Sequence, residues 1–287
     1  MRFFSFGLDG ASLVLAFHNV IPDRERPRGD HSLHLELSRY REILDWLPDI
    51  FEVVPLESIV QEVPIPFGRP RIAITFDDAY EGAVDLGITE LARRGLPATV
   101  FVISGMRDGQ TFWWDALADS NDGRTLKIRE EVLRSAAGRE SVIRSLAKQN
   151  RWALSELGGP FVASTWKRIA DLACLEGITI AHHTRTHANA AVLTKEELLV
   201  ELETGRTELE ERVPEARPWL AWPYGRSSAR ARSVAMHVGF KAAFRVDGGL
   251  WKRSKPPAPR FRFPRLNVPA GLTLEGFRLR AVGLLGR

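Results

Sequence analysis

The sequence predicts an α/β protein built on a parallel sheet, closed or open, and three observations predict it. Strand-like and helix-like runs alternate about six or seven times along the 287 residues, the pattern of repeated βα units. The side chains suited to chemistry, His18, Asp77, Asp78, His183, His187 and Tyr224, fall where predicted strands end, and parallel sheets collect functional groups at those ends. A hydrophobic fraction of 44% supplies a sizeable core. Length alone leaves open two small domains or one large barrel-like domain.

The elements follow in chain order. "SLVLAFH" (12–18) reads as a buried strand ending in His18, and "LHLELSRYREILDWL" (33–47) carries Leu33, Leu37, Tyr40, Leu44 and Leu47 at helical spacing. "FEVVPLESIVQEV" gives a short strand and a short helix; Pro64, Pro66, Gly68 and Pro70 then break the chain before the strand "RIAITF". A helix over "GAVDLGITELARRG" stops at Gly95, and "PATVFVI" (97–103) is the next strand. Residues 107–165, with "FWWD", two charged amphipathic stretches and "LGGPF", lack a clear strand and read as a helical insertion within the domain. "TWKRIADLACLEG" is a helix handing over to the strand "ITIAH" (178–182). A long charged helix begins at Thr194, whose capping box is completed by Glu197. "WLAWPYG" is a strand and turn, followed by the helix "SSARARSVAMHVG", the strands "KAAFRV" and "RFRFPRLNV", and a last helix bearing Leu274, Phe277 and Leu279.

Composition removes several classes of function. Lys and Arg (40) exceed Asp and Glu (36) by only 4, and the charges are interspersed. No basic stripe interleaved with aromatics points to nucleic acid. Cys174 is the single cysteine, so there is no intrachain disulfide framework, and a buried structural thiol is its expected role. No run of about 18 apolar residues would cross a membrane. The N-terminal stretch, interrupted by Gly7, Asp9 and Gly10, lacks the features of a secretory signal, so a cytoplasmic protein is expected. "RGD" (28–30) reads as a charged loop.

"IAITFDDAY" (72–80) ends a buried strand in two adjacent carboxylates. They repel each other, and burying either without a partner is costly. "AHHTRTHAN" holds three of the seven histidines, with His183 and His187 spaced so that one helical turn would align them. Such a pair by itself is weak evidence for a metal, since half-exposed polar residues at a helix start give the same pattern. Here another strand of the same sheet ends in the aspartates. Two imidazoles and one carboxylate leave coordination positions open on a divalent metal, the arrangement of a catalytic centre. The second aspartate would then stay free as a base.

"TFDD" (75–78) followed by "HTRTH" (183–187) resembles the first two motifs of the polysaccharide deacetylases, the NodB-homology group of carbohydrate esterase family four. "GLPATVFVI", "TWKRIADLACLEG" and "AWPYG" (221–225) are similar to that family too, and the resemblance spans roughly residues 12–270. It implies a distorted (β/α)7 barrel with the helical insertion at 107–165, one catalytic domain across 1–287, and a metal-dependent N-deacetylase. It further implies Asp78, His183 and His187 as metal ligands, Asp77 as general base, Thr184 as a loop anchor, and the Tyr224 backbone N–H as an oxyanion donor. The expected metal is Zn2+, with Co2+, Ni2+ and Fe2+ as alternatives, and the expected partner is an N-acetylated carbohydrate.

The departures from the family pattern define further candidates. The usual arginine of the third motif is replaced by Ala221, and Arg265 could supply that charge from the last strand; the competing reading is a structurally paired arginine. No histidine follows His237, so the late motif that supplies the general acid is missing. His18 is the substitute, since "AFHNV" resembles the "YH" opening of one branch; the competing reading is a satisfied structural histidine. Ala79 stands where glycine is commoner. His182 is expected to pack or to support the site, and His31, His34 and His237 to be surface or helix-face residues. Of Trp113, Trp114, Trp166, Trp222 and Trp251, only Trp222 stands out as a sugar platform, because it adjoins the third motif. Removal of an N-acetyl group from an amino sugar of a polysaccharide or glycan precursor is the leading reading. The alternatives are a deformylase or deacetylase of a lipid- or nucleotide-linked amino sugar, and a catalytically weak carbohydrate-binding relative.

Overall fold

The computed structural model describes residues 8, 10–61, 69–120, 125–252 and 260–285. The chain runs β1 (Ala11–Phe17), β2 (Asn19–Ile21), β3 (His34–Glu36), α1 (Leu37–Ile50), β4 (Glu52–Val53), α2 (Leu56–Val60) and β5 (Arg71–Asp77). A π-helical turn (Ala83–Ile88) leads into α3 (Thr89–Arg93) and β6 (Ala98–Val102). Next come α4 (Trp113–Ser120), α5 (Thr125–Ser135), α6 (Glu140–Asn150), α7 (Trp166–Ala173) and β7 (Ile178–His182). The long charged helix is α8 (Lys195–Leu199), a π-helical turn (Val200–Thr204) and α9 (Gly205–Arg212). β8 (Arg217–Ala221), α10 (Ala229–Val238), β9 (Ala242–Phe244), β10 (Trp251–Lys252), β11 (Leu266–Asn267) and α11 (Leu274–Ala281) complete it.

Among the described residues, the main sheet has the order β10-β1-β5-β6-β7-β8-β9, with β11 also on β1 and β4 on β5. All these pairings are parallel except that of β10. Residues 260–267 close the ring. The Phe263 N–H donates to the Ala243 carbonyl (2.9 Å) and the Arg245 N–H to the Phe263 carbonyl (3.0 Å); β11 then pairs with β1 at Leu15↔Leu266 and Ala16↔Asn267. The sheet is thus a curled parallel βα barrel of the distorted kind expected.

Side chains alternate across a strand, and this alternation separates core from chemistry. Leu13, Leu15, Phe17, Ile72, Ile74 and Phe76 face the surrounding helices, including the apolar stripe Tyr40, Ile43, Leu44 and Leu47 of α1. Val14, Ala73, Phe101, Ala181, Trp219, Phe244 and Phe263 fill the barrel interior. Thr75 and Asp77 continue that inward row. The registers Phe17↔Phe76, Asp77↔Phe101 and Val102↔His182 bring the carboxyl ends of four strands level, so His18, Asp77, Asp78 and His183 share one rim.

Several expectations need correction. The helix expected from Leu33 starts at Leu37, because His34–Glu36 pairs with β2 as a strand instead. His34 is buried, not on the surface: its Nδ1 faces Asn19 Nδ2 (3.0 Å) and its Nε2 faces Asp115 Oδ1 (3.2 Å). Cys174 is exposed rather than buried, since it caps the end of α7. The strand read across "RFRFPRLNV" reduces to a bridge at Phe263 and to β11. His31 and His237 are exposed as expected, and Thr194 and Glu197 form the capping box. Residues 107–165 carry α4, α5 and α6 as the helical insertion. The break at residues 64–68 lies outside the described residues. Among those described, no helix is long and apolar enough to cross a membrane.

Candidate active site

Asp77 and Asp78 are adjacent in sequence but meet different partners. Asp77, the last residue of β5, accepts a bidentate pair of hydrogen bonds from Arg265, Nη1 to Oδ1 at 2.6 Å and Nη2 to Oδ2 at 2.7 Å. Arg265 is fully buried. Its Nη1 also donates to Thr75 Oγ1 (3.1 Å) and its Nε to the Arg245 carbonyl (3.3 Å), while the guanidinium lies 5.2 Å from the Phe101 ring centroid. Burial alone would raise the Asp77 pKa, but Arg265 and then His183 outweigh it and hold the carboxyl well below the usual range. The sequence candidate for the missing motif arginine is therefore a paired interior cation, clamped on the carboxylate it was expected to serve.

Asp78 turns out of the strand with φ 70° and meets the histidines. Its Oδ1 lies 3.3 Å from His183 Nε2 and 3.4 Å from His187 Nε2, and has no hydrogen-bond partner. His183 Nδ1 sits 2.9 Å from the Ala221 carbonyl, a group that only accepts. The His183 proton therefore belongs on Nδ1, leaving the Nε2 lone pair aimed at a carboxylate oxygen. Two buried lone-pair donors facing each other call for a cation or a proton between them. Burial lowers the His183 pKa, but Asp77 and Asp78 overcome it and raise it, which is the same demand expressed as proton affinity. Burial pushes His187 down to about 3, so its imidazole is neutral and free to ligate.

The donor set fits a divalent cation. The three ligand atoms lie within 4.8 Å of one another. The Asp78–His separations match the edge of about 3.4 Å expected of a tetrahedron with bonds of about 2.1 Å. Three protein donors leave a position open for water or substrate.

The loop that carries the histidines is held in an uncommon shape. Thr184 (φ 63°), His187 (φ 59°) and Tyr224 (φ 59°) join Asp78 and Ala79 (φ 58°) in the left-handed region, where non-glycine residues store strain that the surroundings must hold. Thr184 Oγ1 accepts from the His187 N–H (3.1 Å), so the expected anchor is present. Glu201 was not legible as a site residue: buried in the π-helical turn, it accepts from the N–H groups of Arg185 (3.1 Å) and Thr186 (2.8 Å). In the sequence it is one more acid in a charged helix.

Asp77, Asp78, His183, His187 and Tyr224 line a cavity of about 350 Å³, together with His18, Trp114, Arg129, Trp222 and Asn267. His18 is half-buried there, and desolvation lowers its pKa against the pull of Asp78 and Asp77. Trp222 lines the wall but is buried, its Nε1 donating to the Phe261 carbonyl (3.3 Å). His182 packs edge-on against Phe240 (5.2 Å), and burial pushes it down to about 3. Sequence reasoning passed over Trp114. Its ring lies 4.5 Å from that of His187, and its Nε1 donates to Tyr80 Oη (2.7 Å), which donates to Asp115 Oδ2 (2.5 Å). "FWWD" held those residues, but nothing in one sequence places them against "HTRTH".

The curled parallel barrel thus gathers at its strand ends a donor set able to support metal-assisted hydrolysis. The chain belongs to the polysaccharide deacetylase family, which it matches over residues 65–243, and with that family it acts on carbon–nitrogen bonds. No curated protein matches the sequence. Solved structures with the same fold include the Streptococcus pyogenes deacetylase PplD in complex with acetate (TM-score 0.62, 12% identity, covering 94% of this chain and 98% of that one). Others are IcaB from Ammonifex degensii (0.64, 16%, 96% and 97%) and a de-N-acetylase from Aggregatibacter actinomycetemcomitans (0.65, 14%, 93% and 98%).

Proposed function

We propose that this enzyme removes an N-acetyl group from an amino sugar of a polysaccharide or glycan precursor, using a divalent metal, Zn2+ foremost, held by Asp78, His183 and His187. The observation that carries the reading is the division of the acidic pair: Asp77 bidentate on buried Arg265, Asp78 facing two imidazole nitrogens. Bound there, the cation supplies Lewis-acid chemistry, polarising the acetamide carbonyl and acidifying a water. Asp77, kept ionised and oriented by Arg265, accepts the proton of the attacking water. The Tyr224 backbone N–H donates to the oxygen that turns negative in the tetrahedral intermediate. His18 protonates the leaving amine nitrogen; desolvation lowers its pKa, so its imidazolium is a stronger acid when formed but the minority form near neutral pH. We read residues 1–287 as one catalytic domain, since Arg265 of the closing segment completes a site begun at His18.

The test is acetate release from a panel of N-acetylated amino-sugar oligomers and lipid- or nucleotide-linked amino sugars, using metal-loaded protein. At least one substrate should be turned over, and Asp77→Asn should keep its metal while losing activity by about 10²–10⁴-fold. Failure of the metal-replete enzyme to release acetate from every member would overturn the reading, and wild-type turnover in Asp77→Asn would remove Asp77 as base.

A further inference from the structure

We propose that the Tyr224 side chain is a positioning residue for His187, and that Gly138 of the helical insertion makes room for it. This rests on the metal reading above and extends it to residues that touch no metal. The two histidines are supported differently. His183 Nδ1 faces a backbone carbonyl, which fixes its tautomer. His187 Nδ1 faces Tyr224 Oη at 3.1 Å, with ring centroids 4.6 Å apart and inclined by 68°. A hydroxyl can donate or accept. Only when His187 Nδ1–H donates to Oη does the Nε2 lone pair point toward Asp78, so the hydroxyl, by accepting there, favours the tautomer in which His187 can ligate. Partners of this kind fix ring orientation in metal sites.

The position of that hydroxyl is set from the insertion. Gly138 lies in the turn between α5 and α6 with φ 70°, and a Cβ built there would come 2.7 Å from Tyr224 Oη, 3.1 Å from Cε2 and 3.2 Å from Cζ. The same turn is tied to the histidine loop, because the Asn189 N–H donates to the Ala137 carbonyl at 2.7 Å. Gly138 is therefore required twice, by its left-handed backbone and by the approach of the phenol. A side chain at 138 would displace Oη and release the His187 ring.

A double-mutant cycle read by metal binding tests this. Zn2+ affinity of the full chain is measured by competition with a chromophoric chelator, and the absorption bands of bound Co2+ report ligand geometry. Tyr224→Phe keeps the backbone N–H and the ring but loses Oη; it should weaken Zn2+ binding by about 10–100-fold and shift the Co2+ bands, while the metal-free protein still folds and unfolds cooperatively. Gly138→Ala should weaken binding comparably. In the Tyr224→Phe background, Gly138→Ala should cost less than it does alone, because its shortest contact is with the deleted oxygen while those with Cε2 and Cζ remain. The inference is overturned if Tyr224→Phe binds Zn2+ within about twofold of wild type, or if the two losses multiply in full. Wild-type protein that binds neither Zn2+ nor Co2+ would instead remove the metal reading, and this inference with it.

Discussion

Removing Arg265 probes the site most sharply, because a fully buried guanidinium is the direct partner of a buried carboxylate. Arg265→Ala takes away both hydrogen bonds to Asp77 and leaves its charge in the barrel interior. Breaking such a pair from one side costs about 3–5 kcal/mol. With a urea slope of about 3 kcal/mol per molar, at the upper end for small domains, the midpoint should fall by roughly 1–2 M at pH 7. The sign with pH follows from the group. In the wild type the Asp77 pKa is depressed below 3.8, so it stabilises the fold above about pH 3.8 and that contribution fades below. Without Arg265, burial dominates and the folded-state value rises above the unfolded one, so the variant's deficit should shrink as pH is lowered. The acidic limb of the pH–rate profile should move upward for the same reason. Pairing Arg265→Ala with Asp77→Asn should recover part of the loss, with a coupling of about 0.5–3 kcal/mol. The assay is urea denaturation of metal-free protein at two pH values across the four variants. A pH 7 midpoint for Arg265→Ala within about 0.3 M of wild type would refute the argument that the pair is buried and coupled.

Three further outcomes are expected. His187→Ala and Asp78→Ala should fold yet lose stoichiometric metal at neutral pH by elemental analysis, and full occupancy in either would exclude that residue as a ligand. His18→Ala should lose the alkaline limb of the pH–rate profile and be least impaired on activated esters, whose leaving groups need no proton; an intact alkaline limb with full amidase activity would leave His18 structural. Glu90 is held down to about 2 from 4.5 by hydrogen bonds from Arg93, Arg94 and Arg41, so it stabilises the fold above about pH 4.5 and that contribution is lost as pH falls toward 2. The urea midpoints of wild type and Glu90→Gln should therefore differ at pH 7 and converge near pH 2, and a constant gap would refute the assignment.

The barrel was legible because the βα rhythm and the strand-end polar residues carry one message at two scales. "RIAITF" and "ITIAH" fixed β5 and β7 closely, and the motif spacing drew Asp78, His183 and His187 to one rim. Arg265 was legible as a stand-in for the missing motif arginine only through the family resemblance, not from the pattern of its own segment. Its pairing with Asp77 spans 188 positions and depends on a closing segment with little regular strand, which periodicity cannot register. His34 was misread for a related reason. Its neighbours give it a helical pattern, while its burial comes from Asn19, Asp115 and the Tyr80 ring, all distant in sequence. Glu201, Trp114 and Gly138 belong to the same group, since each acts on the site through another side chain or a loop.

The adjacent aspartates also explain why the site tolerates so much backbone strain. Two neighbouring carboxylates on an extended strand point to opposite faces, which would send Asp78 into the apolar layer beneath the helices, where Phe76 packs. The left-handed turn at Asp78 (φ 70°) and Ala79 (φ 58°) carries the second carboxylate to the rim instead, at a cost of order 1–3 kcal/mol per residue. The first then faces a permanent cation in the interior, and the second faces the imidazoles. Their mutual repulsion is relieved by separate partners rather than by a shared one. The same geometry would keep the proposed roles apart: a carboxylate clamped on Arg265 has its charge fixed and its direction set, as a base needs, whereas Asp78 Oδ1 has no hydrogen-bond donor and keeps its lone pairs available to a metal. An aspartate pair with both members on one cation could not divide the chemistry in this way.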